Sequence, residues 1–519
     1  MAQPPFRRLG GFSLACALLF ALGGFAPGLL HAQTLAQTPA KTTQTLVDEA
    51  RAAAQKDRNR EAADLFAQAI RQAPERRAEL AREYADQLTY SDRAREAVPL
   101  YRELLAANPP TEARLPLLKG LGLSLLWSDE PAQAAEAYRQ AITLSPTDID
   151  ARRNYAQGLS WSGRQRESAE VLRGILRTNP DDEKARLQLA QSLRWLGRSD
   201  SAFETLSGAN TGQDDAARLL RELDDQAAPR TRADVQKSTQ SDNLDIERTR
   251  ISHEVTFDKG RGMLGGALEH FSYRQQGGTG SADVDRPSVR GRYRFNDNVE
   301  LNAEVGQDRI DVAGSPGSHR TVYSSWLTLW PSDIVRIDLS TRKSTLDSLT
   351  SLQLGVTTTQ NRVSATFTPD ERQRYSADLE AGRYSDGNRR ALVQVQGEYR
   401  WLRSPEVWVG ARHQRMDYSQ GGNTGYFNPD KFNATQATLR ASYKPGGDAS
   451  AWDLGGIAAL GREHADPGGS KPSYDLSLAA GYRITPRTRL EARRQRFSSR
   501  TGLSGFARTT SGLSLEHAW

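Results

Sequence analysis

The feature that most constrains the fold is an alternation of apolar and polar residues in the second half of the chain. In the segment 288–306 (SVRGRYRFNDNVELNAEVG), arginine occupies every second position before the turn NDN, and the alternation resumes after it. Successive side chains of a β-strand point to opposite faces of the sheet, so a period of two predicts strands. The segment is therefore predicted to be a hairpin with one apolar face and one charged face.

The predicted register of this hairpin follows if Phe295 lies opposite Val299. Three arginines are then placed beside partners across the turn, namely Arg290 beside Glu304, Arg292 beside Asn302 and Arg294 beside Glu300. The apolar face could be the inside of a soluble sandwich or the lipid-facing side of a membrane barrel. One hairpin does not decide between these two folds, so the rest of the chain must.

Alternating runs of this kind continue to the last residue, and sixteen of them can be counted from about residue 232. Bacterial single-chain membrane barrels have an even number of strands, with short periplasmic turns and longer extracellular loops. Here the connections alternate in the same way, with short turns such as NDN and TPR and generally longer loops such as SQGGNTGYFNPDKF. The segment 344–356 (STLDSLTSLQLGV) fits a strand poorly and is predicted to be a loop that folds inward.

The chain ends in SGLSLEHAW, which places Leu513, Leu515, His517 and Trp519 on one face of a last strand. A terminal aromatic residue on such a strand resembles the signal that barrel-assembly machinery recognises. Trp519 is therefore predicted to be an insertion signal. Together with the strand count and the asymmetry of the loops, this ending favours a membrane barrel over a soluble sandwich.

A membrane barrel assigns the two faces of the first hairpin. The charged face is predicted to line a water-filled lumen, and its members are Arg290, Arg292, Arg294, Glu300 and Glu304. The apolar face is predicted to contact outer-membrane lipid. A barrel of sixteen strands has a lumen too wide for side chains to fill, so a channel is geometrically available.

The N-terminus is predicted to be a secretory signal peptide over residues 1–32. It has a basic start, an apolar region from Leu9 to Leu30, and a cleavage site at Leu30-His31-Ala32. An uncleaved anchor is the alternative, and a lipoprotein site at Cys16 is less favoured because this cysteine lies inside the apolar run. Since Cys16 is the only cysteine, the mature chain has no thiol for a disulfide, a metal site or a nucleophile, and no cofactor or metal is expected.

A short linker at 33–43 leads into residues 44–228, which are rich in Ala, Leu, Arg, Glu and Gln and have apolar residues at helical spacing. Trp127, Trp161 and Trp195 are each 34 residues apart, which is the period of tetratricopeptide repeats. About five units are predicted, at 43–76, 77–110, 111–146, 147–180 and 181–214. Such repeats form a binding scaffold. The three tryptophans are expected to pack in the core, with a role as ligand platforms as the alternative.

The fold predicted from these features is therefore an α + β multidomain chain. Periplasmic tetratricopeptide repeats occupy 44–228, and an antiparallel sixteen-stranded outer-membrane β-barrel occupies 230–519. This combination resembles the outer-membrane exopolysaccharide exporters, which include the cellulose-synthase outer-membrane subunit and the export porin for poly-N-acetylglucosamine. The most specific local similarity is the segment 425–429 (GYFNP), which is similar to the Gly-Tyr-Phe-Ser-Pro element of the cellulose exporter. Those exporters usually carry many more repeats than this chain.

The resemblance implies an outer-membrane channel that exports an exopolysaccharide, for example a biofilm polymer such as cellulose, with its N-terminal domain in the periplasm. The implied partners are the polysaccharide chain, an inner-membrane synthase or periplasmic enzymes that bind the repeats, outer-membrane lipid and the barrel-assembly machinery. Nucleic acid is not among the expected partners.

The resemblance also singles out Tyr426, Phe427 and Asn428 in an extracellular loop. These residues are expected either to contact the emerging polymer or to close the pore, and a packing role in a structural plug is an equally open alternative. Sugars are bound by aromatic faces and by polar hydrogen bonds. The mildly basic charge of the barrel half favours a neutral or anionic polymer over a cationic one.

Two other classes of protein are compatible with a barrel of this kind, an enzyme and a protein-translocating barrel. An enzyme in the barrel would need a serine and a histidine on adjacent strands with a group that orients them. The histidines of the barrel are scattered, at His253, His270, His319, His413, His464 and His517, so no enzymatic activity is predicted. The alternative function is a protein-translocating or assembly barrel whose repeats bind polypeptide.

Overall fold

A computed structural model describes residues 41–207, 214–421, 425–466, 468–498 and 507–519. The predicted signal peptide 1–32, including Cys16, lies outside these described residues. The chain divides into two compact units. The first contains the described residues up to Glu130 together with Gly446–Ala449, and the second contains Pro131–Pro445 and Ser450–Trp519.

The described residues of the first unit form five α-helices. They are α1 (Thr43–Ala54), α2 (Asn59–Gln72), α3 (Arg77–Tyr90), α4 (Ala94–Ala106) and α5 (Thr111–Trp127). Phe66 and Leu80 are buried where neighbouring helices meet. The side chain of Thr42 accepts a hydrogen bond from the backbone N–H of Thr45 and so begins α1 with a cap.

The second unit begins with six helices, α6 (Pro131–Leu144), α7 (Ile149–Trp161), α8 (Gln165–Thr178), α9 (Glu183–Trp195), α10 (Ser199–Leu206) and α11 (Asp214–Ala227). Asp148 and Asp182 cap α7 and α9 through their carboxylates. Leu172 and Leu193 are fully buried in the shared core of these helices. Across both units, each predicted repeat contains two helices, with the turn between them where the pattern places it.

None of the described helices is long and apolar enough to cross a lipid bilayer.

The repeat tryptophans differ from their expected role. Trp127, Trp161 and Trp195 are the last residues of α5, α7 and α9, and they are exposed by 41%, 40% and 46%. The expectation that they pack in the core is wrong. The position three residues earlier in each helix is buried and holds a small residue, Ser124, Gly158 or Ser192, which allows close helix contact.

The rest of the second unit is a closed antiparallel barrel of sixteen strands, as predicted. The strands are β1 (Arg230–Gln240), β2 (Leu244–Phe257), β3 (Gly262–Gln275), β4 (Ser281–Asn296), β5 (Val299–Val312), β6 (Ser318–Ser332), β7 (Val335–Thr345), β8 (Thr357–Asp370), β9 (Gln373–Tyr384), β10 (Arg389–Arg403), β11 (Glu406–Tyr418), β12 (Lys431–Tyr443), β13 (Trp452–Asp466), β14 (Gly469–Thr485), β15 (Thr488–Phe497) and β16 (Arg508–Ala518). Each strand pairs with the next, and β1 pairs with β16 to close the sheet.

The predicted pairing of the three arginines is confirmed between β4 and β5, whereas Val299 lies opposite Asn296 and not opposite Phe295. The paired residues are Arg290 with Glu304, Arg292 with Asn302 and Arg294 with Glu300, and a bulge follows beside the turn. On the opposite face Val289 pairs with Val305, and both are more than half exposed, at 55% and 54%. The charged face of this hairpin therefore points into the closed barrel and the apolar face points out.

The outward positions of the other strands continue this apolar surface. Its exposed members include Ile251, Leu268, Leu379, Val395, Leu439, Leu478 and Leu513. Exposed aromatic residues are found near the short-turn end, including Phe257, Phe295, Tyr399, Trp452 and Tyr482. An apolar band with an aromatic border is the surface that a transmembrane barrel presents to lipid. In water, so much exposed apolar surface would favour aggregation.

Within the second unit, α8 is fixed to a short turn of the barrel by one carboxylate. Asp333, between β6 and β7, accepts hydrogen bonds from the backbone N–H groups of Arg166 and Glu167 at 3.0 and 3.2 Å. The Arg166 guanidinium also donates to it at 2.9 Å. Backbone donors in the first turn of a helix have no partner inside the helix, and the N-terminus favours an anion. Asp333 therefore caps α8 from the barrel.

A second contact joins α10 to the neighbouring short turn. Arg198 forms an ion pair with Asp297, between β4 and β5, and it also donates to Asp200 at 2.9 Å. Burial raises the pKa of Asp200, but the hydrogen bonds and positive charges around the carboxylate, those of Arg198 above all, together outweigh burial, so the pKa is lowered. Arg166 donates to the backbone oxygen of Asp297 at 2.6 Å. The two helices are thus held on adjacent turns of the same barrel end.

The Asp333 contact yields a prediction. Replacing Asp333 with alanine removes the cap of α8 and leaves the partly buried Arg166 without its ion pair. Loss of a cap costs about 0.5–2 kcal/mol, and an unpaired buried charge adds to that cost. Backbone amide exchange in the first turn of α8 should accelerate, as measured by hydrogen–deuterium exchange with mass spectrometry.

The matched control is Asp150→Ala, which removes an exposed partner of Arg153 on α7. This change should leave exchange in α8 as in the parent protein. If Asp333→Ala also leaves the exchange of α8 unchanged, then Asp333 does not fix this helix to the barrel.

Candidate functional site: the barrel lumen and its inward loop

The inward face of the barrel carries the five residues that the sequence predicts to line the lumen. Arg290 forms an ion pair with Glu254 of β2, two strands away in the same row. Glu304 accepts a hydrogen bond from Ser288 at 2.9 Å. Arg292 is half-buried and occupies the next inward position of β4, opposite Asn302. The inward direction of all five follows from the observed register.

Arg294 and Glu300 lie on the same wall, closer to the short turn between β4 and β5, and are less exposed to solvent. Arg294 is only 8% exposed and lies 3.7 Å from Glu300. Its guanidinium packs over the ring of Trp330 at 4.5 Å, and it lies next to Gly197 at the end of α9. These contacts give Arg294 a bracing role at the short-turn end of the barrel.

Sequence reasoning missed an ionic network on the inward face of β2 to β5. The Glu269 carboxylate is almost fully buried and receives hydrogen bonds from Arg248 and Arg250. Arg286 bridges it to Asp308, which is also fully buried, with an N–O distance of 2.9 Å to the latter. Buried carboxylates need such partners, because an unpaired charge would be costly. All of these residues occupy inward positions of the alternating pattern on neighbouring strands, and this shared face is the signal in the sequence that could have revealed the network.

The segment predicted to fold inward does so, and it contains a short helix. Residues 346–356 connect β7 to β8 and include α12 (Leu349–Leu354). The hydroxyl of Ser348 caps this helix by accepting from the backbone N–H of Ser351 at 3.2 Å. Gly355 ends it with a φ of 69°, a conformation that favours glycine. We call residues 346–356 the inward loop.

The inward loop contacts two distant parts of the wall. Leu352 is buried among inward side chains of β2 to β5, including Tyr273 and Ile310. Leu346 and Val356 are buried in a second cluster formed by β9 to β13. In a closed sheet of sixteen strands these two groups of strands lie on opposite sides of the lumen. The inward loop therefore crosses the lumen.

Asp347 attaches the start of the inward loop to the closing seam of the barrel. Its carboxylate accepts hydrogen bonds from the Tyr273 hydroxyl at 3.2 Å and from the Arg508 guanidinium at 3.1 Å. Its backbone oxygen accepts from Gln240 at 3.1 Å. These partners come from β3, β16 and β1, so a single residue of the loop is bound by three strands.

The predicted loop residues around Tyr426 pack against the inward loop. The backbone oxygen of Gly425 accepts hydrogen bonds from Ser348 and Ser351. Gly425 has a φ of 86°, and a Cβ atom there would lie 2.6 Å from Thr350. Only glycine suits both the conformation and the space. The segment that begins here, 425–429, therefore continues the surface that crosses the lumen.

Tyr426 itself is buried, at 4% exposure, and its ring stacks on Tyr384 with centroids 4.6 Å apart. Its hydroxyl donates to Asp386 at 2.8 Å and accepts from Asn388 at 3.1 Å. Tyr426 is expected from the sequence either to contact the emerging polymer or to close the pore. Because its ring is stacked and buried, it is not available to a polymer in this conformation.

Phe427 and Asn428 take part in the same packing. The Phe427 ring meets Phe432 edge-on at 5.9 Å between centroids. Asn428 is 7% exposed and donates to the backbone oxygen of Gln420 at 3.2 Å. These contacts support a closing or packing role for the three residues.

Trp519 lies on the outward face beside the closing seam. Its indole N–H donates to Thr231 at 2.8 Å, and its backbone N–H donates to Pro229 at 2.9 Å. Its ring contacts His517 edge-on and is 62% exposed. An exposed aromatic residue at the short-turn end is accessible to other molecules. Its role as an insertion signal stays a prediction.

Residues 258–444 match the family description "PgaA membrane beta barrel domain". The matched residues run from the turn before β3 to the end of β12, so they include both the inward loop and the segment 425–429. With the closed sixteen-stranded sheet, the match supports an outer-membrane location and a transport barrel.

Solved structures resemble parts of the chain at low identity. "Bacterial polysaccharide outer membrane secretin" has a TM-score of 0.46 and 14% identity, covering 57% of this chain and 99% of its own. OccK7 (OpdD) of Pseudomonas aeruginosa has a TM-score of 0.32 and 13% identity over 56% of this chain and 98% of its own. YrrB, "a TPR protein with an unusual peptide-binding site", has a TM-score of 0.27 and 16% identity, and the match covers 34% of this chain and 86% of its own. No curated protein matches the chain.

The attachment of the inward loop yields a prediction. Asp347→Ala removes the carboxylate that accepts hydrogen bonds from Tyr273 and Arg508. Losing the acceptor of a buried donor costs about 1–3 kcal/mol of the free energy that holds the loop in place. The start of the loop should then leave the seam more often. Single-channel conductance of the purified protein in planar bilayers should rise above that of the parent.

The matched control is Asp453→Ala, which removes an inward carboxylate paired with Arg489 at 3.1 Å on another wall. This variant should have nearly the same single-channel conductance as the parent protein. Equal conductance in the parent and in Asp347→Ala would show that the inward loop does not limit the pore.

Proposed function

We propose that this chain is an outer-membrane channel that exports an exopolysaccharide. The observation that carries the proposal is the match of residues 258–444 to the PgaA membrane beta barrel domain, on a closed sixteen-stranded barrel with an apolar outer band. The charged lumen wall supports passage of a hydrated polymer, because polar groups along the path replace the hydrogen bonds that sugar hydroxyls make with water.

The inward loop and the segment 425–429 together close the long-loop mouth in the resting state. Their attachments are hydrogen bonds, one carboxylate and small apolar clusters, and each is weak enough to break and reform. Asp347 and Gly425 carry the contacts that join them to the seam and to each other. Export requires that this closure moves aside. Tyr426 acts as part of the closure and becomes accessible to the polymer only when the closure opens.

The repeats supply a scaffold for partners in the periplasm. Repeats of this kind bind other proteins or ligands on their extended surfaces. In the second unit, α8 and α10 are fixed to short turns of the barrel, and Trp161 and Trp195 remain exposed. A synthase or a polymer-modifying enzyme bound to these helices would deliver the polymer at the short-turn end, which is the periplasmic end of such barrels.

Export is tested by deleting the coding sequence in the organism that produces the chain. Secreted polysaccharide should be lost and polymer should accumulate in the periplasm, as measured by sugar composition of the two fractions. The full chain supplied in trans should restore secretion. A matched control is the full chain with Asp150→Ala, which should restore secretion equally well.

Two results would contradict the proposal. Unchanged secreted polysaccharide in the deletion strain would exclude an export role for this chain. Loss of a secreted protein, with the polysaccharide unchanged, would instead support a protein-translocating barrel.

A further inference from the structure

Within the described strands, one large aromatic side chain is exposed on the inner face of the barrel. Most exposed aromatic residues of the described strands are at outward positions, where they face lipid. Trp326 lies half-way along β6 and pairs with Asn302 of β5 and Ser340 of β7. Asn302 is inward, so Trp326 is inward as well, and it is 38% exposed.

Other inward tryptophans differ from Trp326 in their surroundings. Trp408 is 4% exposed and has the guanidinium groups of Arg374 and Arg440 over its ring, at 4.9 and 5.2 Å. The Trp330 ring is covered by Arg294 at 4.5 Å. A tryptophan with a structural role is covered in this way. Trp326 keeps part of its ring open to the lumen.

Trp326 is the centre of a row of polar side chains that runs straight across five strands. The register from β4 to β8 places these inward residues side by side, in the order Arg292, Asn302, Trp326, Ser340 and Arg362. Neighbours in such a row have Cβ atoms about 5 Å apart, and diagonal neighbours are about 7–8 Å apart. In the next row, Arg342 of β7 lies diagonal to the tryptophan, and Ser324 lies two residues before it on β6. A ring-sized platform is therefore bordered by hydrogen-bonding groups.

Two arginines of this surface differ from the rest of the charged wall. Arg290 forms an ion pair with a carboxylate two strands away, and Arg294 and Arg362 form ion pairs with carboxylates of adjacent strands. Among the residues that the structure describes, neither Arg292 nor Arg342 forms an ion pair. Arg342 is exposed at its inward position. Both guanidinium groups are therefore available to an anion in the lumen.

We propose that Trp326 is a stacking platform for the sugar rings of the exported chain, and that Arg292 and Arg342 beside it bind acidic substituents of that chain. The substrate class is then an acidic polysaccharide, with carboxylate, sulfate or phosphate groups. This inference rests on the proposed export function and narrows it.

The chemistry of the two components is complementary. The C–H face of a pyranose ring packs on an indole ring, which offers a large apolar area with little conformational freedom to lose. A guanidinium group binds a carboxylate or phosphate through two parallel hydrogen bonds. Asn302 and Ser340 are placed to bond ring hydroxyls. A site within a channel must bind weakly enough to release its ligand, and one open platform meets that condition.

The site is tested by binding of oligosaccharides to the full chain in detergent, measured by isothermal titration calorimetry. The probes are oligogalacturonate as the acidic chain, cello-oligosaccharide as the neutral chain and glucosamine oligomers as the cationic chain. Oligogalacturonate should bind most tightly. Trp326→Ala should weaken its binding about three- to tenfold, as expected for loss of one aromatic contact, and Trp326→Phe should retain part of the affinity.

The arginines are tested by the double variant Arg292→Gln and Arg342→Gln. It should weaken binding of oligogalacturonate and leave binding of cello-oligosaccharide unchanged, so that the preference for the acidic probe disappears. The matched control is Trp452→Ala, an outward tryptophan that should leave all three affinities unchanged. Heat-modifiable migration in gels shows that each variant is folded. If Trp326→Ala does not fold, Trp326→Phe and the double variant decide the question.

Several results would overturn the inference. These are equal binding of oligogalacturonate by the parent and both Trp326 variants, an acidic preference that survives the double variant, and no binding of any probe by the parent. If the deletion strain nevertheless fails to secrete polysaccharide, the export function stands and only the lumen site is wrong. If secretion is unaffected by the deletion, the export function itself is wrong.

Discussion

The structure depends on the pairing of the first barrel strand with the last. Arg230 to Gln240 pair residue by residue with Ala518 to Arg508, and this closes the sheet. Inside a bilayer, no water is present to bond an open strand edge, so a sheet can span it only when every strand has two neighbours. Closure also gives each strand an inner and an outer side, which turns an alternating sequence into an apolar surface and a charged lumen.

On the inner side, charge is kept largely in pairs. The carboxylates of Glu269 and Asp308 are buried among arginines, and such pairs brace the wall without depending on solvent. The inward loop is attached to this wall by Asp347 at the seam. Most charged side chains of this wall are paired with each other. Arg342, which has no ion pair among the described residues, and the exposed ring of Trp326 are exceptions. Exceptions of this kind are where a passing ligand can bind.

The sequence predicted what depends on local pattern. The period of two yielded sixteen strands and the register around Arg292, and the 34-residue period placed the helix pairs, because both follow from neighbours along the chain. The Asp333 cap of α8 joins residues about 167 positions apart, and the stacking of Tyr426 on Tyr384 depends on which loops meet at the mouth. No local pattern encodes these contacts. The exposure of Trp161 was also missed, since a periodic aromatic residue is compatible with core and surface alike.

The assignment of the two faces is tested most directly by planar-bilayer recording of face-specific variants. Reversing Arg290 and Arg292 to glutamate should permit insertion and shift ion selectivity towards cations, because lumen charges tune selectivity. Val289→Arg, on the paired outer face, should impair assembly, since a charge facing lipid costs about 2–4 kcal/mol near the midplane. Insertion lost in the arginine reversals and unaffected by Val289→Arg would contradict the account, because the charged face would then contact lipid.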